Sequence, residues 1–126
     1  MGRGYIRRVT TDLLLRPARA TVLRQHQTVI AATPAAVFAA LSAAVDPGPE
    51  SGFATDEPTG LIVVQGGWWY RAEYRVGPDE AGTRVGVTIV NVATPAHWAG
   101  PIAGRAEIRS SARHFGDVVD RVRGSL

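Results

Sequence analysis

The C-terminal stretch constrains the fold more than any other part of this chain: Ile108, Ala112, Phe115, Val119, Val122 and Leu126 recur at intervals of 4, 3, 4, 3 and 4. Such spacing stacks side chains along one face of an α-helix. The opposite face carries Arg105, Arg109, Arg113, Asp117 and Arg121. Within it Arg113 with Asp117, and Asp117 with Arg121, are oppositely charged i,i+4 pairs, so this face reads as solvated. An apolar stripe needs an apolar partner, and the chain must supply one upstream.

Alternating strands supply it. From Trp68 onward, Trp68, Tyr70, Ala72, Tyr74 and Val76 share one parity, and Trp69, Arg71, Glu73 and Arg75 share the other. This alternation predicts a half-buried strand with one wet face. Gly77 to Gly82 makes a turn, and Thr83 to Ala93 returns with Val85, Val87 and Ile89 on one face. Leu61 to Val64 is a third, aliphatic strand, reversed at Gly66-Gly67. Upstream, Thr21 to Ile30 is rich in β-branched residues and reads as the first firm strand. Thr33 then offers an N-cap hydroxyl and Pro34 a pre-set first helical position, which predicts a short helix over residues 34 to 45. Asp46-Pro47-Gly48-Pro49 stops that helix, and residues 46 to 60 read as a loop. Thr94-Pro95-Ala96 breaks the last strand, and the tail turns helical between Trp98 and Arg105, with a kink at Gly100-Pro101. The expected fold class is α+β, an antiparallel sheet against a long C-terminal helix with a short helix after the first strand.

A chain of 126 residues suits one domain with a single core. Without cysteine it has no disulfide, no thiolate metal ligand and no cysteine nucleophile. No apolar run approaches a signal-peptide core or a membrane span, so no integral membrane association is expected and a cytoplasmic location is. All 14 basic residues are arginine. Residues 1 to 24 carry six of them against Asp12, for a charge of +5, while the remainder sums to −2. The division is thus a basic N-terminal arm, residues 1–19, and one domain, residues 20–126. The arm lacks the aromatic interleaving of a nucleic-acid site, and no nucleic-acid partner is expected.

Three stretches carry a family likeness: Ile30-Ala31-Ala32-Thr33-Pro34-Ala35-Ala36-Val37-Phe38-Ala39-Ala40-Leu41, then Gly67-Trp68-Trp69-Tyr70-Arg71-Ala72-Glu73-Tyr74-Arg75-Val76, then Gly82-Thr83-Arg84-Val85 running to Asn91-Val92-Ala93. Over roughly residues 20 to 126 the chain resembles the SRPBCC superfamily, which includes birch-pollen-allergen-like proteins, START domains and polyketide cyclase/dehydrase-like proteins. The resemblance implies a helix-grip fold and a small hydrophobic ligand, lipid or polyketide-like, held between the sheet and the C-terminal helix. Members carry more strands and a second short helix, where this chain reads as the loop 46–60. The superfamily shares no catalytic signature, so no active site transfers with the likeness.

In such a fold, parity selects Tyr70, Tyr74, Ile89 and Asn91 to line the ligand space, with Trp68 at its rim, Trp98 at its mouth and Phe115 on the helix. The same aromatic residues also suit simple core filling. His97, Tyr70 and Tyr74 are the acid/base candidates for a cyclase- or dehydratase-like enzyme. The histidines, His26, His97 and His114, have no metal-ligand spacing, and neither a metal nor a cofactor is expected. A third reading is an interaction module with a filled pocket, and an incomplete sheet leaves an edge for a homodimer.

Overall fold

The structure, a computed structural model, describes residues 13–49, 51–93 and 97–126. Strand β1 (Thr21–Ile30) runs to the Thr33-Pro34 signal, and helix α1 (Pro34–Val45) begins there. The Thr33 hydroxyl accepts from the Ala36 amide at 3.2 Å, satisfying a backbone donor that no helical carbonyl can reach. Strands β2 (Gly52–Asp56), β3 (Leu61–Gly66), β4 (Tyr70–Asp79) and β5 (Gly82–Asn91) follow, then α2 (Ala99–Ala103), α3 (Arg105–Arg109) and α4 (Ser111–Ser125). The five strands form one antiparallel sheet in the order β1-β5-β4-β3-β2.

Four departures from the sequence reading matter. The interval 46–60 is not only loop: Gly52–Asp56 pairs with Leu61–Gln65 as an edge strand. Only Phe53 marks it as apolar, so its pairing is imposed by β3. Trp68 and Trp69 belong to the turn between β3 and β4 rather than to β4. The helical run breaks at Gly104 and Ser110, yet one buried face continues across both through Gly104, Ile108, Ser111, Phe115, Val118, Val119 and Val122, and Ile108, Phe115, Val119 and Val122 of the expected stripe lie on it. Ala112 is exposed, and so is Leu126, which follows the last helical residue. On the solvated face, neither i,i+4 pair involving Asp117 closes into an ion pair among the described residues.

The fourth departure concerns the supposed wet face. Ile62, Ala72, Tyr74, Val85, Val87 and Ile89 meet Val37, Phe38 and Leu41 of α1 and the α4 stripe in one core. Each fully buried apolar side chain there contributes roughly 1.5–3 kcal/mol. On the opposite face Arg71 and Glu73 are nevertheless only 1 % exposed. The segment before β1 covers them: Arg71 donates to the Leu13 carbonyl at 2.7 Å and Arg16 Nε to Glu73 at 2.9 Å. Alternation in β4 correctly separates apolar from polar, but burial depends on what lies above each face. The rest of the arm, residues 1–12, lies outside the described residues.

Candidate functional site

Between the inner face of β4 and β5 and the helical run α3–α4 lies a cleft of about 420 Å³. Tyr70 and Tyr74 enter it from β4, Val87 and Ile89 from β5, and Gly66 and Trp69 close one end. The helices add Glu107, Ser110, Ser111, His114 and Phe115. The walls are therefore aromatic and aliphatic on the sheet side and polar along one flank of the helices. That is the composition of a site for a molecule with an apolar body and a few polar atoms. A larger depression, about 600 Å³, lies elsewhere, over Gln25, Gln27, Arg75, Arg84 and Thr88. Val76, Pro78 and Val87 also line it, but its walls are more polar than those of the cleft, which suits a hydrophobic ligand less well.

The tyrosines set the chemistry of the cleft. Neither phenol has a hydrogen-bond partner among the described residues, and because no buried side-chain polar atom there is unsatisfied, both phenol oxygens keep some contact with solvent although the Tyr74 ring is buried. Burial pushes the Tyr70 phenol above its ordinary pKa, and the nearby Glu107 carboxylate pushes it the same way. Burial raises Tyr74 further, helped by Tyr70 and only partly opposed by Arg121. Both therefore stay protonated at neutral pH, as hydrogen-bond donors without a protein acceptor. Trp69 packs edge-on against Tyr70, with centroids 5.3 Å apart, and holds that ring in place.

The other wall is held by a cross-element contact. His26 Nε2 lies 2.9 Å from Ser111 Oγ, and the His26 ring stacks on Phe115 with centroids 6.1 Å apart. This contact ties β1 to the first turn of α4.

Of the residues selected from the sequence, Tyr70, Tyr74, Ile89 and Phe115 come together in the cleft. Trp68, Asn91, Trp98 and His97 do not line it. Trp68 sits on the turn, 45 % exposed, because the strand begins two residues later than its alternation suggests. Asn91 is buried but spends its amide on the chain itself, donating to the His97 carbonyl at 2.7 Å and accepting from the Ala93 amide at 3.1 Å. His97 has both ring nitrogens engaged, one 2.8 Å from Thr21 Oγ1 and the other 2.7 Å from the Ala93 carbonyl. Its ring is a strut between β1 and the end of β5, outside the lining of the cleft. Trp98 is 73 % exposed and points to solvent.

Sequence reasoning missed His26, Trp69, Glu107, Ser111 and His114. A signal existed for three of them, since Glu107, Ser111 and His114 recur at intervals of 4 and 3 beside the apolar stripe. Among the described residues no group of three or more His, Cys, Asp or Glu could hold a metal ion. No helix among them is long and apolar enough to cross a membrane.

Fold and site together define an α+β protein with an open antiparallel sheet and a helix-covered cleft. No family model, curated protein or solved structure matches the chain.

Proposed function

We propose that the protein binds a small amphipathic molecule, lipid or polyketide-like, in the cleft beneath α3 and α4, in the manner of the SRPBCC superfamily. The observation that carries this reading is the pair of phenols, Tyr70 and Tyr74, lining a mostly apolar cleft of about 420 Å³. Small-molecule sites begin at roughly 300 Å³, so the space suits a ligand better than a filled interaction module. Among the described residues no buried side-chain polar atom is left without a partner, so both phenol oxygens are open to solvent, where a ligand oxygen can accept from them in place of water. The sheet-and-helix arrangement supports the superfamily reading, with five strands in place of a longer meander.

The test is recovery under native conditions, with mass spectrometry of any molecule released, followed by titration of the emptied protein with a fatty acid and with an aromatic polyketide-like probe. A 1:1 complex whose affinity falls about tenfold in Tyr70→Phe/Tyr74→Phe is expected, the value of roughly one hydrogen bond. Absence of any released molecule together with no saturable probe binding refutes the reading.

One contact favours a catalytic variant of it. Ser111 lines the cleft and its hydroxyl lies 2.9 Å from His26 Nε2, which places a base one hydrogen bond behind the cleft wall, as a cyclase- or dehydratase-like enzyme could use. Turnover of a polyketide-like substrate that is lost in His26→Phe, with probe affinity retained, would establish it.

A further inference from the structure

A second surface lies on the other side of α3. Leu23 and Arg24 of β1 and Pro101, Arg105, Ile108 and Arg109 of the helical run enclose a depression of about 320 Å³. Leu23 reaches it through a bulge between Val22 and Arg24, which turns this end of β1 toward the helices. Its rim holds Arg24, Arg105 and Arg109, and its floor is apolar. Among the described residues no carboxylate forms an ion pair with any of these guanidiniums. Among the described residues Arg24 donates only to the neighbouring Leu23 carbonyl.

Two large apolar side chains continue this face into solvent. Trp98 is 73 % exposed and Ile102 58 % exposed. Trp98, Ile102, Arg105 and Arg109 follow at intervals of 4, 3 and 4, so they align along one side of α2 and α3 despite the break at Gly104. The core gains nothing from an exposed tryptophan and isoleucine one turn apart, and unpaired arginines beside them repel one another.

We propose that this face docks on an anionic lipid bilayer, with Trp98 and Ile102 in the interfacial region and Arg24, Arg105 and Arg109 on lipid phosphates. The charge sign selects an anionic partner. The apolar pair selects a bilayer over a nucleic acid or an acidic peptide, because only the bilayer offers hydrocarbon beneath a layer of phosphate. The inference stands on this face alone, whether or not the cleft is occupied. If both hold, α3 is the partition between them, with Glu107 and Ser110 on the cleft side and Arg105 and Arg109 on the bilayer side.

The experiment is co-sedimentation of the full chain with vesicles of phosphatidylcholine alone and of phosphatidylcholine with 30 mol % phosphatidylglycerol, at low salt and at about 0.5 M salt. Binding to the anionic vesicles alone, reversed by salt, is expected. Replacing Arg24, Arg105 and Arg109 together by Gln should weaken it about a hundredfold, since each surface arginine near an anionic leaflet is worth roughly a factor of five. Trp98→Ser/Ile102→Ser should weaken it on the order of tenfold through lost apolar burial. Every position changed is on the surface, and unchanged circular dichroism verifies that each variant folds. No binding by the wild type at low salt overturns the proposal. So does binding that both variants retain, or tighter binding to polyuridylate that survives Trp98→Ser/Ile102→Ser, which would make the face a nucleic-acid surface.

Discussion

Arg71 donates from Nε to Glu73 Oε2 at 2.8 Å, and both side chains lie beneath the segment that precedes β1. The two residues sit two apart on β4, on the same face, so the strand itself aligns them. Glu73 also receives Arg16, and Arg71 also reaches Gln65 Oε1 at 3.1 Å and the Leu13 carbonyl. The pair is thus the polar floor on which the chain before β1 is seated.

Removing one member leaves the other charge buried. Glu73→Ala should destabilise the protein by about 3–5 kcal/mol in urea unfolding, whereas Arg71→Met/Glu73→Leu should cost less than that single substitution. Arg16, which is partly exposed, regains water when its partner is lost and adds little to the penalty.

Acid weakens the same contact. Burial alone would push the Glu73 carboxyl up, but hydrogen bonds from Arg16 and Arg71 outweigh it and hold the group below the usual carboxylate range. A carboxyl whose folded pKa is depressed stabilises the fold above its unfolded pKa, about 4.3, and that contribution is lost as pH falls through the lower folded value. Wild-type stability should therefore fall more steeply below about pH 4 than that of Glu73→Gln, as measured by thermal unfolding across pH.

Gly104 separates α2 from α3 at a point of close approach rather than of unusual backbone. A Cβ there would run into the Trp69 indole. Gly104→Ala should cost about 1–3 kcal/mol through overpacking. It should also shift tryptophan fluorescence, and unchanged stability and emission would show that the indole relocates freely.

The phenols give the cleft a pH signature. Because burial raises both Tyr70 and Tyr74, their donor capacity persists through the neutral range. Probe affinity should be flat from about pH 6 to 9 and fall only beyond the ordinary tyrosine value near 10. A break near pH 6.5 would assign binding to a histidine instead.

Much of the architecture was legible because its signals are local. Thr33-Pro34 marks the start of α1, and the β-branched run of β1 ends just before it. Strand β2 was not, because Gly52–Asp56 owes its conformation to pairing with β3 rather than to its own composition. The cleft was legible from the sheet side, where parity points Tyr70, Tyr74 and Ile89 inward. From the helix side only Phe115 was found. Glu107, Ser110 and His114 flank the buried stripe, and a polar residue beside an apolar stripe reads equally well as solvated. Asn91 and His97 lie outside the cleft and bond the chain itself, since polar groups at a strand end are as readily consumed by the chain's own backbone as offered to a ligand.

Two separate clusters of buried apolar residues meet at this corner, a large one around Phe115 and Tyr74 and a small one of Trp69, Ala93 and Ile108. The cleft lies along the seam between them, bordered by Phe115 and Tyr74 on one side and Trp69 on the other. A molecule seated there completes a joint that the polypeptide leaves unglued. Its affinity and the resistance of that corner to opening are then one free energy, and amide exchange around α3 would report occupancy as directly as any titration.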